Sequence, residues 1–513
     1  MSTALPLILG SFDGFTLDDA TRDRLRRGML GLTLFRETNV ESPEQFADLT
    51  DEIHSLVTGD LPAIVAIDQE AGQLQTLTGI VTDFPGNLAM SATGRTDLVE
   101  RVGHAIGLEL RAMGVTVNYA PVCDLLVHAT NHGLSIRSFG DEPPRAAELA
   151  AALIGGMQRA GVAATAKHFP GKGGAEFDTH FSHAVIRRTR EEFDEFELVP
   201  FVAAIDAGVR LTMTSHAAAP ALTGEGEIPA TRSREVLTGL LRNELGFDGV
   251  CITDALDMAA VGDGDIATAS ESYQAVRAGA DLLLMTATMD HDGLEAELLG
   301  AIGDDRDGVL AVAMERSYAL RVWLAGFETP SIDVVGCAEH RTTADEVARL
   351  SLTELAVGRA RPLADAAAVI EIAQINLTPA DTTADNTATL AASLGAGGHR
   401  SVTLGVSHSP TPAEIEAAVA AAAAAPEAVV TVNAAATEPA QVELVQRVAA
   451  AAARTTLVVA RNPLDASFLP TGDVDRTVFS YGLTESTARA LADLLISGAE
   501  GPGTMPVAQL RDL

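Results

Sequence analysis

Eight short apolar runs rich in β-formers recur through the first two-thirds of the chain. They are Leu5–Gly10, Gly31–Arg36, Ala63–Asp68, Val115–Pro121, Val162–His168, Leu211–His216, Gly249–Asp254 and Ala280–Met285. Amphipathic segments of helical period lie between them, among them Pro43–Leu56, Leu98–Met113, Arg145–Ala160, Glu192–Ala207 and Arg234–Leu245. Eight βα units in about 320 residues fit a (β/α)8 barrel of the TIM type with some inserted loops. A doubly wound open sheet is the alternative. The C-terminal ends of the runs carry Asp68, Asp124, Lys167, His168, His216 and Asp254. A closed barrel brings all such ends to one face and one pocket, which an open sheet does not.

A chain of 513 residues is too long for one ordinary domain. Phe327 to Arg341, with Pro330 and Gly336, has no clear period and reads as a linker. Beyond it a second α/β pattern starts, with strands expected at Val369–Asn376, Ser401–Val406, Ala428–Asn433, Thr455–Ala460 and Thr477–Ser480. Helical segments Pro412–Ala424, Pro439–Ala453 and Thr484–Leu495 separate them. The expected division is a barrel over 1–328, a linker over 329–345 and a smaller three-layer αβα domain over 346–513. No phosphate-binding glycine fingerprint opens the first helix of that domain, so no nucleotide cofactor is expected.

Seventy Asp and Glu against 35 Lys and Arg leave a formal charge of −35, which argues against nucleic acid or an anionic membrane as a partner. The plainer meaning of that charge is a soluble, self-repelling surface. Cys123, Cys251 and Cys337 do not make a disulfide framework, and the first two read as buried thiols. The N-terminus lacks the basic segment of a signal peptide, and no apolar stretch is long enough to span a membrane. A cytoplasmic protein is expected; the sequence leaves its oligomeric state open.

The densest chemistry lies in Lys167-His168-Phe169-Pro170-Gly171-Lys172-Gly173-Gly174-Ala175-Glu176-Phe177-Asp178-Thr179-His180. An apolar run ends on two basic residues and breaks into Pro and Gly, as at a strand end entering an active-site loop. Side chains alternate along a strand, so Lys167 and His168 face one ligand together only if the strand ends there. Asp178 stands two residues before His180, a spacing at which a carboxylate orients an imidazole for proton transfer. The plainer reading of that pair is a solvent-exposed loop. Asp68 and Asp254 close their runs as fixed carboxylates, or else cap the next turn. Arg137 offers a planar fork to a substrate oxygen, or pairs with Asp141 or Glu142. A lone Lys167 also suits a Schiff base. His168, His180, His183, His216 and Asp254 leave a zinc or di-metal site as a minor alternative, although the chain has no His-x-His.

Taken together, these segments resemble glycoside hydrolase family 3, and within it the β-N-acetylglucosaminidases. The resemblance rests on Ile67-Asp68-Gln69-Glu70, Asn118-Tyr119-Ala120-Pro121-Val122-Cys123-Asp124, Arg137-Ser138-Phe139, Lys167-His168-Phe169-Pro170-Gly171 and Asp178-Thr179-His180. It extends to Pro229-Ala230-Thr231, Leu245-Gly246-Phe247-Asp248-Gly249-Val250 and Thr253-Asp254-Ala255-Leu256. Arg461-Asn462-Pro463 and Gly503-Thr504-Met505-Pro506-Val507 look like the trailing domain of two-domain members.

The resemblance implies a retaining mechanism without cofactor or metal, acting on a small carbohydrate. Asp254 would be the nucleophile, His180 the general acid/base and Asp178 its orienting partner. Asp68, Arg137, Lys167 and His168 would hold the sugar. The implied activity is exo-hydrolysis of terminal N-acetylglucosamine from cell-wall- or chitin-derived glycosides. An imidazole acid/base adds no negative charge beside Asp254, so a phosphorylase using phosphate in place of water is a rival within the family; a catalytically silent sugar-binding protein is another. Three positions depart from the subfamily pattern: Gln73 stands for an Arg, Lys172 for a His and Gly174 for an acidic residue. They point either to a different sugar substituent or leaving group, or to drift without effect.

Overall fold

The structure is a computed structural model that describes residues 3–175, 184–224, 227–258, 269–302, 308–355, 360–385 and 388–511. The first ten strands are β1 (Ile8–Leu9), β2 (Gly31–Thr33), β3 (Ile64–Ile67), β4 (Gln69–Ala71), β5 (Leu74–Gln75), β6 (Val117–Asn118), β7 (Ala163–Phe169), β8 (Leu211–Thr214), β9 (Val250–Ile252) and β10 (Leu283–Leu284). Six of them form a parallel sheet in the order β2-β3-β6-β7-β8-β9, and β1 pairs in parallel with β10. Parallel bridges between Gly10 and Leu32 and between Ile252 and Leu282 join the two sets, so eight strands close into a barrel. The antiparallel hairpin β4–β5 stands outside that ring.

Alternation along the strands explains the closure. Leu9, Ile64, Ala66, Val117, Ala163 and Leu211 pack in one buried cluster that fills the barrel, with Leu320 and Leu324 of the helix Val309–Leu324. Their neighbours Ile8, Val65, Ile67, Ala164 and Cys251 belong to a second cluster, shared with the surrounding helices. Strands apolar on both faces are what a parallel barrel requires. Gly31 meets a steric demand: a Cβ there would lie 1.9 Å from the carbonyl oxygen of Ile64.

The second sheet consists of β11 (Thr353–Glu354), β12 (Ala367–Ile372), β13 (Ser401–Val406), β14 (Ala428–Val432), β15 (Thr455–Val459) and β16 (Arg476–Phe479). Its order is β13-β12-β14-β15-β16-β11, with the first five parallel and β11 antiparallel to β16. The five expected strands are all present; the two residues of β11 are too few to give a period. One face packs Val369, Val429 and Val458 against Leu390 and Leu491. The other packs Ile370, Val430 and Leu457 against Leu444, in a cluster that also takes in Leu88, Leu126 and Ile136 of the barrel. The two domains thus share a core. Within the stretch read as a linker, a helix begins at Ala338 and runs to Ser351. It is tied to the barrel where His340 Nδ1 meets Glu109 Oε1 at 2.6 Å. Among the described residues, no helix is long and apolar enough to cross a membrane.

Candidate active site

A cavity of about 630 Å³ opens at the C-terminal ends of the barrel strands, lined in part by Asp68, Arg137, Lys167, His168 and Asp254. Five residues singled out from sequence, spread over nearly 190 positions, therefore meet in one place, as barrel closure requires. β3 delivers Asp68, the turn Ser135–Arg137 delivers Arg137, β7 delivers Lys167 and His168, and the segment after β9 delivers Asp254.

β7 does not end at its two basic residues. It continues to Phe169, but its register against β8 shifts between Lys167 and Phe169. An irregularity of this kind re-aims side chains on one strand. It replaces the strand end expected from Pro170 and Gly171 as the way two consecutive residues reach one cavity.

Charge in the cavity is organised by Glu70, which received no role from sequence although it sits two residues past Asp68. Its side chain is fully buried and accepts two hydrogen bonds from Arg137, Nε at 2.7 Å and Nη2 at 2.8 Å. The ion pair of Arg137 is thus with Glu70, and the plainer alternative of Asp141 or Glu142 does not hold. Lys167 Nζ lies 2.5 Å from Glu70 and 2.6 Å from Asp68 Oδ1. Burial alone would raise the Glu70 pKa, but Arg137 and Lys167 outweigh it and hold the group at about 2. Burial works against the charge on Lys167, and Asp68 and Glu70 more than restore it, so its pKa is raised. Two carboxyl groups and two cations form a compact cluster in which the bidentate Arg137–Glu70 pair fixes the geometry, while burial raises the Asp68 pKa against the pull of Lys167.

His168 is held from behind. Its Nδ1 is 2.7 Å from Oδ2 of buried Asp124, and its Nε2 is 3.8 Å from Oδ2 of Asp254. Burial, then the charges of Lys172 and Lys167, push its pKa well below the ordinary value, so the ring is neutral. Asp254 Oδ1 accepts the backbone N–H of Ala255 at 2.9 Å, and the Ala255 carbonyl lies 2.9 Å from His216 Nε2. His216 thus supports the turn after Asp254. Asp178 and His180 lie outside the described residues, as does His183. Among the described residues, no group of three or more His, Cys, Asp or Glu is placed to hold a metal ion.

Of the three departures, Gln73 and Gly174 have local reasons, and nothing in the structure explains the side chain of Lys172. Gln73 is fully buried and donates to the carbonyls of His132 at 3.0 Å and Ala380 at 3.2 Å. Lys172, also buried, gives its backbone N–H to Asp124 Oδ1 at 2.8 Å. Gly174 gives its N–H to Glu197 Oε1 at 3.0 Å, and a Cβ at 174 would lie 3.1 Å from both that oxygen and Arg188 Nε. The space of an acidic side chain at 174 is occupied by a carboxylate arriving from residue 197.

Residues 11–302 match the family model of the "Glycosyl hydrolase family 3 N terminal domain". Beta-hexosaminidase A of Pseudoalteromonas piscicida is 31% identical over 67% of this chain and 62% of its own length. A beta-hexosaminidase of Nitrosomonas eutropha is 34% identical over 55% of this chain and 80% of its own. The solved structure of a glycoside hydrolase family 3 beta-N-acetylglucosaminidase from Paenibacillus sp. strain FPU-7 superposes with a TM-score of 0.89 at 31% identity, covering 98% of each chain. The chain therefore spans somewhat less than two-thirds of the first of these relatives and nearly all of the solved structure.

Proposed function

The chain belongs to glycosyl hydrolase family 3, and from that premise we propose that it is a retaining exo-β-N-acetylglucosaminidase. It removes terminal N-acetylglucosamine from cell-wall- or chitin-derived glycosides. The observation that carries the reading is the meeting of Asp254 with Asp68, Arg137, Lys167 and His168 in one barrel-end cavity. Relatives named as beta-hexosaminidases and a beta-N-acetylglucosaminidase support the sugar.

In this reading the cluster of Asp68, Glu70, Arg137 and Lys167 presents fixed acceptors and donors to sugar hydroxyls. Asp254 attacks the anomeric carbon and forms a glycosyl ester while the bond to the leaving oxygen breaks. His180, oriented by Asp178, gives that oxygen its proton. It then takes a proton from the water that opens the ester and restores Asp254. The roles of Asp178 and His180 rest on their Asp-x-His motif. An imidazole suits the task near neutral pH without a large shift. The proposed setting is the cytoplasm, a reducing compartment in keeping with three free cysteines.

Mass spectrometry after exposure to a fluorinated β-N-acetylglucosaminide tests the reading. One sugar is expected on the peptide containing Asp254. Asp254→Ala is expected to lose the adduct and on the order of 10³-fold or more in kcat. Full activity in Asp254→Ala would refute the assignment. Running the same assay with and without phosphate, and looking for sugar 1-phosphate, separates hydrolysis from phosphorolysis.

A further inference from the structure

The second domain reaches the barrel cavity through the loop that follows β12. Pro379, Ala380 and Thr382 line the same cavity as Asp68 and Asp254. The loop is fastened on both sides. Toward the barrel, Thr382 donates its backbone N–H to the Gln73 carbonyl at 2.8 Å and its hydroxyl to the same oxygen at 3.1 Å. The Thr382 hydroxyl also accepts the N–H of Gln75 at 3.1 Å, and the Gln73 side chain donates to the Ala380 carbonyl at 3.2 Å. Toward the second domain, Asp381 takes a hydrogen bond from Arg461 Nη2 at 2.6 Å, with both side chains buried. Asp381 also accepts the N–H groups of Leu377 at 2.8 Å and Thr383 at 2.9 Å. Fixing a loop this fully costs conformational entropy at every residue, more than a passive linker needs.

Depth in the cavity shows what the loop meets. Lys167 and His168 are buried, whereas Pro379 and Glu37 on the lining are exposed, with buried Ala380 and Thr382 beside Pro379. An exo-acting enzyme holds the terminal sugar deep and directs the leaving group toward the opening. At about 630 Å³ the cavity is of the size that encloses drug-like ligands, so it has room beyond a single monosaccharide. The Thr382 hydroxyl is occupied by Gln73 and Gln75, which leaves this wall the Pro379 ring, the Ala380 methyl and the Thr382 methyl. Such a surface suits the C–H face of a neutral pyranose and provides no charge to recognise an ionised substituent.

Resting on the exo-glycosidase reading above, we propose that the Gln73-clasped loop Pro379–Thr382 is the wall for the first ring of the leaving group. It makes the second domain a determinant of which glycosides are cleaved. Ala380 is the contact and Gln73 a positioning residue. The departure at position 73 then has a function: a short neutral amide holds the loop of the other domain.

The test compares kcat/KM for the β-1,4-linked N-acetylglucosamine disaccharide with kcat/KM for N-acetylglucosaminyl β-fluoride, whose leaving group has no ring. Ala380→Phe is expected to lower the disaccharide-to-fluoride ratio at least tenfold, through KM for the disaccharide. Gln73→Ala, which frees the loop without adding bulk, is expected to lower the same ratio several-fold. If both substrates fall by one factor in both variants, or the ratio does not move, the proposal is overturned. Wild-type protein inert on both substrates would instead overturn the exo-glycosidase reading on which it rests.

Discussion

Nδ1 of His168 stands 2.7 Å from Oδ2 of Asp124, and this contact decides which ring nitrogen meets a ligand. A neutral imidazole has one N–H. Asp124 collects donors on both oxygens: its Oδ1 accepts the backbone N–H groups of Lys172 at 2.8 Å and of His168 at 3.4 Å. Burial raises the Asp124 pKa, but the Lys172 charge and the two backbone N–H groups favour its carboxylate, which draws the ring proton to Nδ1 and leaves the Nε2 lone pair toward the cavity. The 3.8 Å from Nε2 to Asp254 is too long for a hydrogen bond and leaves a substrate O–H or N–H as the natural donor. Asp124→Asn can donate to Nδ1 and move the proton to Nε2. We expect kcat/KM to fall on the order of 10- to 100-fold, the range seen when the partner behind a metal-binding histidine is lost. Steady-state kinetics with unchanged kcat/KM would contradict this.

Glu70 is the anion shared by two buried cations, Arg137 and Lys167, the second of which also meets Asp68. Removing one member of a buried charged group leaves the others uncompensated, which typically costs about 3–5 kcal/mol. Glu70→Ala should therefore lose stability of that order in urea unfolding. Glu70→Gln, which keeps hydrogen-bonding capacity but not charge, should lose less. Equal, small losses in both variants would mean the group is held by packing instead.

The fold was legible because its signal is repeated. Eight apolar runs with polar ends, such as Ala63–Asp68 and Gly249–Asp254, constrain one another, and any one alone would not. The candidate site was legible where a residue closes an apolar run just past a strand, as Asp68 and Asp254 do. It was not legible where a partner comes from elsewhere in the chain. Glu70 was visible in its motif, but its pairing with Arg137 spans 67 positions. The carboxylate beside Gly174 comes from Glu197, and no period or spacing announces it. The loop Pro379–Thr382 has polar residues, Asp381 and Thr382, but no spacing that ties them to the barrel; only the packing of the domains brings it to the cavity. Lys167 and His168 both line the cavity, through a shift of register within β7 and not through the end of the strand.

The occupied space at Gly174 is testable. Glu197 is fully buried, and its Oε1 accepts from the Gly174 N–H and from Arg188 Nε, each at 3.0 Å. Burial pushes its pKa up to about 7, even with Arg188 pulling the other way. Gly174→Asp would set a second carboxylate against Glu197 and crowd Arg188. We expect a loss of roughly 1–3 kcal/mol. In a Glu197→Gln background the same substitution should cost less, because the like charge has gone. A double-mutant cycle with no coupling would show that crowding alone is responsible.

Asp465 supplies a stability switch in the second domain. It is fully buried, its Oδ1 accepts the N–H of Ala436 at 2.9 Å, and its Oδ2 has no hydrogen-bond partner among the described residues. Burial raises its pKa to about 7 against the lowering effects of the Ala436 and Ala435 N–H groups and Arg461. The folded state therefore keeps a proton that the unfolded chain releases near its ordinary value of 3.8. Between those two values the folded state binds more protons, so the contribution of Asp465 to stability is complete below the unfolded pKa. It declines as pH rises and is lost once pH passes the folded pKa. From pH 5.5 to pH 8.5 that loss amounts to about 2 kcal/mol at 1.36 kcal/mol per unit. Asp465→Asn cannot ionise and lacks this loss. Measured by urea unfolding at both pH values, the variant should gain on the wild type as pH rises. A wild-type-minus-variant difference that is the same at both pH values would place the Asp465 proton elsewhere.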